Sequence, residues 1–341
     1  MKILSITSHL GGGLGNVILN LATHTNNHAI VCLDYANEKA KKICDDSYTW
    51  LFDKQIQDRK HCNEMIEEAD IVLVHWYDHP MLAELFSTPV PDCRLVYWCH
   101  KNYPVSPNIL GYPDLFLDVS PVQGHGRHIW SVGDMARFRE IQPRKHKGFN
   151  IGTVVSPKLH PKFILLCHEI GLKIPGAHFI VLGEGNHLKP KPPWYDDDQR
   201  LTFTGKVDDV APYLSELDLF CYPLRSDHYG TAEQVLGEAM SAGVVPVVMA
   251  NEAEKLIVHH MYNGLVSLDE NEYVDNIKML YDNKKLRAEL SENAKVFARE
   301  LYSTETMISE WENVFEELML KPKTKKEGVC YLKKEQSKHL N

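Results

Sequence analysis

Short runs that are apolar on both faces recur along the whole chain, and stretches with apolar residues at helical spacing lie between them. In the first half the runs are KILSITS (2–8), AIVCLDY (29–35), DIVLVHW (70–76), RLVYWCH (94–100) and LFLDVSP (115–121), with helical spacing in NVILNLATH (16–24) and CNEMIEEA (62–69). A strand apolar on both faces must be covered on both sides, and helices between strands make the connections parallel crossovers. The second half repeats the scheme with NIGTVVS (150–156), HFIVLGE (178–184), LTFTGKV (201–207), LDLFCYP (217–223), VVPVVMA (244–250) and GLVSL (264–268). Its helices are expected near 160–172, 209–216, 232–242 and 270–300. The fold class is therefore α/β, with two doubly wound, Rossmann-like parallel-sheet domains. A chain of 341 residues is long enough for two cores. The expected domains are 1–143 and 148–302, joined by the polar, basic stretch DMARFREIQPRKHKGF (134–149). Doubly wound sheets bind ligands at the carboxyl ends of strands where strand order reverses. Two such crevices facing each other would make one cleft.

Beyond 302 the pattern changes. STETMISEWENVFEELM (303–319) is an amphipathic helix with a Ser-Thr-Glu start. It needs a surface for Met307, Trp311, Val314 and Phe315, and the expected one is the first domain, reached by a crossing helix over about 303–320. The lysine-rich KPKTKKEGVCYLKKEQSKHLN (321–341) reads as a solvated, disordered tail. Attraction to anionic lipid, giving peripheral contact at the inner membrane face, is the sharper alternative. The whole chain has net charge −9, which argues against nucleic acid as a partner. The cysteines (32, 44, 62, 93, 99, 167, 221 and 330) form no C-x-x-C pair and no zinc spacing, so a reducing, cytoplasmic setting is expected. MKILSITSHLGG is no signal peptide, and no apolar run is long enough to span a bilayer. The acidic run at 196–198 suggests a metal only superficially, and no cofactor is expected.

Three motifs carry chemistry. HLGGGLGN (9–16) follows the first strand and opens the first helix, where glycines let backbone amides approach a phosphate. Asp34 ends the second strand and raises a dehydrogenase, but the dinucleotide fingerprint fails: from Gly11 its last glycine slot holds Asn16, and from Gly12 it fails at Leu14. The turn stays open between a dinucleotide, another ligand and a simple tight turn. HYGTAEQVLGEAMSAGVVPVV (228–248) reads as turn, helix and strand. Thr231 and Gln234 form a capping box, Gly243 suits the residue after the helix, and amides near 230–233 make an anion site. Glu233 and Glu238 stand roughly 140° apart around a helix and cannot share a face. Glu233 can point into a ligand site or out to water. Glu238 lies among apolar neighbours and needs partners, either ribose hydroxyls or a structural cation. Lys158, His75 and His100 end strands. The lysine suits a leaving diphosphate or plain solvent, and the histidines suit a ligand or a neighbouring loop. Trp76, Tyr77, Trp98 and Tyr103 can stack on a sugar or fill the core.

FIVLGEG (179–185), LTFTGKVDDVAPYLSELDLFCYP (201–223) and LGEAMSAGVVPVV (236–248), in this order, resemble the nucleotide-binding domain of group-one retaining glycosyltransferases, the family 4-like enzymes of the glycogen-synthase and mannosyltransferase kind. The resemblance implies the GT-B fold and transfer of a sugar, with retention, from a nucleoside diphosphate sugar bound in the cleft, without a metal. The implied acceptor is a glycan, a lipid-linked precursor or another polysaccharide precursor. By position, Glu238 matches the glutamate that holds the donor ribose, Lys158 the diphosphate lysine and His100 the histidine near the donor sugar. Gly12 and Gly13 match the turn facing the diphosphate. Gly205, Lys206 and Val207 fall where the base is read, and the amides of Gly230, Thr231 and Ala232 near the leaving diphosphate. Two positions depart from the family. Gly230 stands where its first glutamate is expected, eight before Glu238, with Asp227 and Glu233 as the other candidates for that acid. Thr153 stands where an arginine accompanies the lysine. A catalytically weakened sugar-nucleotide-binding partner of an assembly complex is the alternative, followed by another sugar-nucleotide enzyme or a dehydrogenase.

Overall fold

A computed structural model describes residues 1–45, 49–51, 59–185, 188 and 199–329. The chain divides into two compact units, one of residues 1–133 with the segment from 304 onward, the other of residues 134–303.

The first unit begins with β1 (Ile3–Leu10), α1 (Gly12–His24), β2 (His28–Ala36), α2 (Glu38–Asp45), β3 (Thr49–Leu51), α3 (Arg59–Glu68), β4 (Ile71–Trp76), α4 (Pro80–Phe86), β5 (Val90–Cys93), β6 (Leu95–Cys99), α5 (Pro107–Leu110) and β7 (Leu115–Asp118). Its main sheet runs β3-β2-β1-β4-β6-β7, all parallel. The central strands β1 and β4 are covered on both faces, which is why their sequences lack the alternation of a half-exposed strand. Strand order reverses between β1 and β4. Trp76 and Trp98 are fully buried and Tyr77 nearly so, so these aromatics fill the core.

The second unit contains α6 (Ala136–Arg139), β8 (Phe149–Val154), α7 (Phe163–Lys173), β9 (Ala177–Leu182), β10 (Leu201–Phe203), α8 (Ala211–Leu214), β11 (Leu219–Tyr222), α9 (Gln234–Ser241), β12 (Val245–Met249), α10 (Glu252–Lys255), β13 (Leu265–Ser267), α11 (Glu270–Asp282) and α12 (Lys284–Leu301). Its sheet runs β10-β9-β8-β11-β12-β13, again parallel, with the reversal between β8 and β11. The stretch expected as a linker, 134–149, packs within this unit: Phe138 is buried, and the Arg144 amide donates to the Ser215 carbonyl at 2.7 Å. The single helix expected over 270–300 is two, because Asn283 leaves helical geometry and caps the second one through the Leu286 amide.

The chain then returns to the first unit through α13 (Thr304–Met319) and β14 (Thr324–Lys326). Met307, Trp311, Val314 and Phe315 are buried, and Trp311 meets Trp98 edge to face at 5.0 Å. The expected disordered tail needs correction over 324–329. β14 pairs antiparallel with β5, Lys326 donates to Asp114 Oδ1 at 2.8 Å, and the Val329 amide donates to the Phe86 carbonyl. Unpaired backbone groups on β5 and the Asp114 carboxylate supply partners that outweigh the charge of the lysines. Residues 330–341 and the acidic run at 196–198 lie outside the described residues. Cys32, Cys62, Cys93, Cys99, Cys167 and Cys221 are buried and form no disulfide, and no described helix is long and apolar enough to cross a membrane.

Candidate functional site

In the second unit the strand reversal sets Lys158 beside the end of β11. The Arg225 amide donates to the Lys158 carbonyl at 3.0 Å, and the His160 amide to the Pro223 carbonyl at 2.8 Å, lacing the loops after β8 and β11 together. Lys158 Nζ donates to both carboxylate oxygens of Glu233, at 2.6 and 2.7 Å. Tyr222, the last residue of β11, donates its hydroxyl to Glu233 Oε2 at 3.0 Å. Burial, reinforced by the Glu233 carboxylate, holds that phenol far above its ordinary pKa, so it remains a donor. From the end of α12, the Tyr302 hydroxyl reaches the carbonyls of Ala232 and Glu233 at 2.9 and 3.2 Å.

These tertiary bonds correct the expected start of α9. The capping box of Thr231 and Gln234 does not form. The helix begins at Gln234, with Glu233 in the N-cap position (φ 19°, ψ 73°) and no side-chain cap bond. Lys158 and Tyr302 hold residues 232–233 outside the helix, which overrides local capping preference. Thr231 and Ala232 are buried with them, and Glu233 is only 7% exposed, so it is not a solvated first-turn acid. At the other end Gly243 behaves as expected. It takes φ +77°, its amide donates to the Met240 carbonyl, and the Val244 amide donates to the Ala239 carbonyl, a Schellman motif.

Gly230 is explained by its neighbours. A Cβ there would lie 1.9 Å from Glu233 Oε1 and 2.7 Å from His228 Nδ1, so no side chain fits without displacing the carboxylate. The Gly230 amide donates to His228 Nδ1 at 2.9 Å. The histidine proton is then on Nε2, which donates to the buried Glu254 at 3.1 Å. Asp227 is exposed and pairs with Arg225 at 3.0 Å. Of the two candidate acids, Glu233 is therefore the one beside Lys158. Glu238 is half-buried one turn further along α9 and is not the glutamate that Lys158 holds. Thr153 is buried inside β8 with its hydroxyl unbonded. Gly205 follows β10 with φ +70° and bridges to Gly183, Lys206 is exposed, and Val207 is half-buried.

In the first unit α1 begins at Gly12, four residues before the periodicity suggests, with Gly11 as N-cap. Gly12 takes φ +57°, and it and Gly13 are exposed. Gly15 has no room for a side chain, since its Cβ would lie 2.6 Å from the Leu10 backbone. Around this turn stand His9, whose Nδ1 accepts from the Gly11 amide, and Tyr77, with Lys101 5.9 Å from the Tyr77 ring centre. His100 follows β6, half-buried, its amide donating to the Trp76 carbonyl at 2.7 Å. Burial lowers its pKa to about 3 and so keeps it neutral. His75 is fully buried and contacts His100.

Tyr222, His228, Glu254 and Tyr302 escaped the sequence reading as site residues. Only His228 carried a local signal, two residues before Gly230. The others reach the loop from distant positions. Among the described residues no cluster of three or more His, Cys, Asp or Glu is arranged to hold a metal ion.

The sequence profile described as "Glycosyl transferases group 1" matches residues 151–283, which contain Lys158, Glu233 and Glu238. No curated protein sequence matches the chain. Solved structures are similar in fold. Anabaena HepE in complex with UDP and glucose has a TM-score of 0.73 at 14% identity, over 93% of this chain and 100% of that one. A glycosyltransferase from Rickettsia africae has 0.71 at 11% identity, over 93% and 98%. WaaG, a glycosyltransferase involved in lipopolysaccharide biosynthesis, has 0.61 at 13% identity, over 92% and 99%. Residues 151–283 thus carry the profile of the group 1 glycosyltransferases, and the chain is built on the GT-B fold.

Proposed function

We propose that the protein moves a sugar, with retention of anomeric configuration, from a nucleoside diphosphate sugar to a hydroxyl of a glycan, lipid-linked or other polysaccharide precursor. The observation that carries this reading is the ion pair of half-buried Lys158 with buried Glu233 at the strand reversal of the family-matched unit. An ammonium has three donors. Glu233 takes two, and the third serves a phosphate oxygen. Transfer breaks the bond from the anomeric carbon to the diphosphate oxygen and forms one to the acceptor oxygen, negative charge gathers on the leaving group, and the acceptor's proton passes to that departing diphosphate. Lys158 and the amides of Thr231 and Ala232 offset that charge. Glu233 takes the part of the family's first acid and accepts from hydroxyls of the transferred sugar, while Glu238 accepts from the ribose. The backbone of Gly205, Lys206 and Val207 reads the base. In the first unit the amides of Gly12 and Gly13, at the start of α1, and His100 supply donors to an oxygen-rich ligand. No metal is needed for this set of charges.

HepE was solved with UDP and glucose, which makes uridine diphosphate sugars the first donors to test. A panel of nucleotide sugars screened by thermal shift identifies the donor, because a bound ligand stabilises the folded state by mass action. Turnover in the presence of EDTA then tests metal independence, and NMR of the product gives its anomeric configuration. An inverted product removes the retaining mechanism. Thr153, uncharged where a second phosphate cation is expected, favours one further reading, a sugar-nucleotide-binding partner of an assembly complex. That reading holds if nucleoside diphosphates bind, no sugar nucleotide is transferred or hydrolysed, and Glu238→Ala changes binding alone. Buried cysteines outside disulfides suit a cytoplasmic setting, and binding to anionic vesicles tests contact with the inner membrane face.

A further inference from the structure

Behind His100 the first unit buries a line of polar side chains. Ser5, in β1, is fully buried. Its Oγ lies 2.8 Å from Nε2 of His28, the first residue of β2, and 3.0 Å from Nε2 of His75 in β4. Nδ1 of His75 lies 3.1 Å from Nε2 of His100, just beyond β6. The sheet order β2-β1-β4-β6 places these groups side by side, so one hydrogen-bonded line crosses the unit and ends at a partly exposed imidazole.

Counting protons fixes the direction of the line. Each neutral imidazole has one donor and one acceptor, and the hydroxyl has one proton. Burial keeps all three histidines neutral near pH 7. With the hydroxyl proton kept in the line, only two arrangements make all three bonds: every donor points toward His100, or every donor points toward His28. Nδ1 of His28 is buried without a partner. If the donors pointed toward His28, that atom would carry an N–H with nothing to bond. If they point toward His100, it is a bare lone pair. Orphaned buried N–H groups are the rarer of the two. His28 therefore donates to Ser5, Ser5 to His75, and His75 to Nε2 of His100. The proton of His100 is then on Nδ1, which has no partner among the described residues.

We propose that His28, Ser5 and His75 are positioning residues that lock His100 as an Nδ1–H donor to a hydroxyl of the transferred sugar. The sugar contact rests on the function proposed above, whereas the locked tautomer does not. In a metal site the hydrogen bond on one ring nitrogen sets the role of the other, and the same logic applies here.

The test uses the full chain labelled with 15N-histidine. At pH 7.5 the imidazole shifts and couplings of His100 are expected to report Nδ1–H alone. His28→Leu removes the anchor, and a mixture of tautomers is expected at His100. Its kcat with the nucleotide sugar should fall roughly tenfold, with donor KM changed less than about threefold, the size of a mispositioned hydrogen-bonding group. His28→Gln keeps an N–H for Ser5 and is expected to restore both the tautomer and kcat. Ser5→Ala breaks the line at a second point and should repeat the leucine result if His28→Leu folds poorly. An Nε2–H tautomer in the unaltered protein overturns the proposal, as does a His100 signal unchanged in both line-breaking variants. If the tautomer responds as expected but no sugar nucleotide is turned over by the unaltered protein, the locked tautomer stands and the proposed function is what fails.

Discussion

Lys158 Nζ lies 2.6 and 2.7 Å from the two carboxylate oxygens of Glu233, and this ion pair, buried on the Glu233 side and partly exposed at Lys158, ties the loop after β8 to the N-terminus of α9. Removing one partner leaves a buried charge behind. Lys158→Met is expected to destabilise the protein by about 3–5 kcal/mol, while the double variant with Glu233→Gln recovers much of that loss. Urea unfolding of the two single variants and the double closes the cycle. A coupling below about 0.5 kcal/mol means that the pair contributes nothing to stability.

Gly230 is confined by Glu233 and His228, and its lack of a side chain is what lets the carboxylate sit where it does. Gly230→Ala is expected to cost about 1–3 kcal/mol, as overpacking does, and to lower transfer by pushing Glu233 off Lys158. Gly230→Glu, which places an acid at the family's position, should fare worse, since its larger side chain meets the same obstruction. Gly176→Ala is the control, because nothing lies within 4 Å of a Cβ there. Equal melting temperatures for the alanine variants at 230 and 176 would show that position 230 has room.

Most of this architecture is visible in the sequence for a plain reason. A strand covered on both faces must be apolar throughout, so KILSITS and VVPVVMA announce β1 and β12 without any knowledge of their neighbours. The strands missed, β3, β5 and β14, are short, and β14 is mostly lysine. Their pairing depends on partners, so no local pattern marks them. The same division holds for the site. Lys158 and the glycines at 12, 13 and 205 sit where strand ends put them. The observed start of α9 departs from the expected one because Tyr302, some seventy residues away, holds the two carbonyls just before it. Whether Glu233 faces a ligand site or water is open in the sequence for the same reason: its partners, Lys158 and Tyr222, come from distant parts of the chain.

Tyr302 offers a clean test of that long-range hold. Its ring packs on Gly237, whose Cβ would approach within 2.8 Å, while its hydroxyl bonds the carbonyls of Ala232 and Glu233. Tyr302→Phe keeps the ring and removes only the donor. It is expected to cost about 1–2 kcal/mol, the range for leaving a buried acceptor unpaired. Because the freed loop carries Glu233, donor KM should rise as well. Calorimetry and donor titration read the two effects separately. An unchanged KM with a lowered melting temperature would confine Tyr302 to a packing role.

The buried histidines of the first unit make its stability depend on pH in a defined direction. Burial lowers His28 to about 3, and His75, pressed by burial and by His100 and His28, is also held well below its ordinary value. Both return to about 6.5 in the unfolded chain. Between those values the unfolded chain binds a proton that the folded chain refuses, so acid favours unfolding. For His28 the penalty is absent above about pH 6.5 and grows as pH falls toward about 3, at up to about 1.4 kcal/mol per pH unit, and His75 adds to it in the same direction. His28→Gln removes one titrating group. Urea unfolding at intervals from pH 7 to pH 5 should give the variant a shallower decline than the unaltered protein, by about 1.4 kcal/mol per pH unit at the acid end. Parallel declines would mean that His28 takes up its proton in the folded state, and the neutral line of Ser5, His28, His75 and His100 could not then hold.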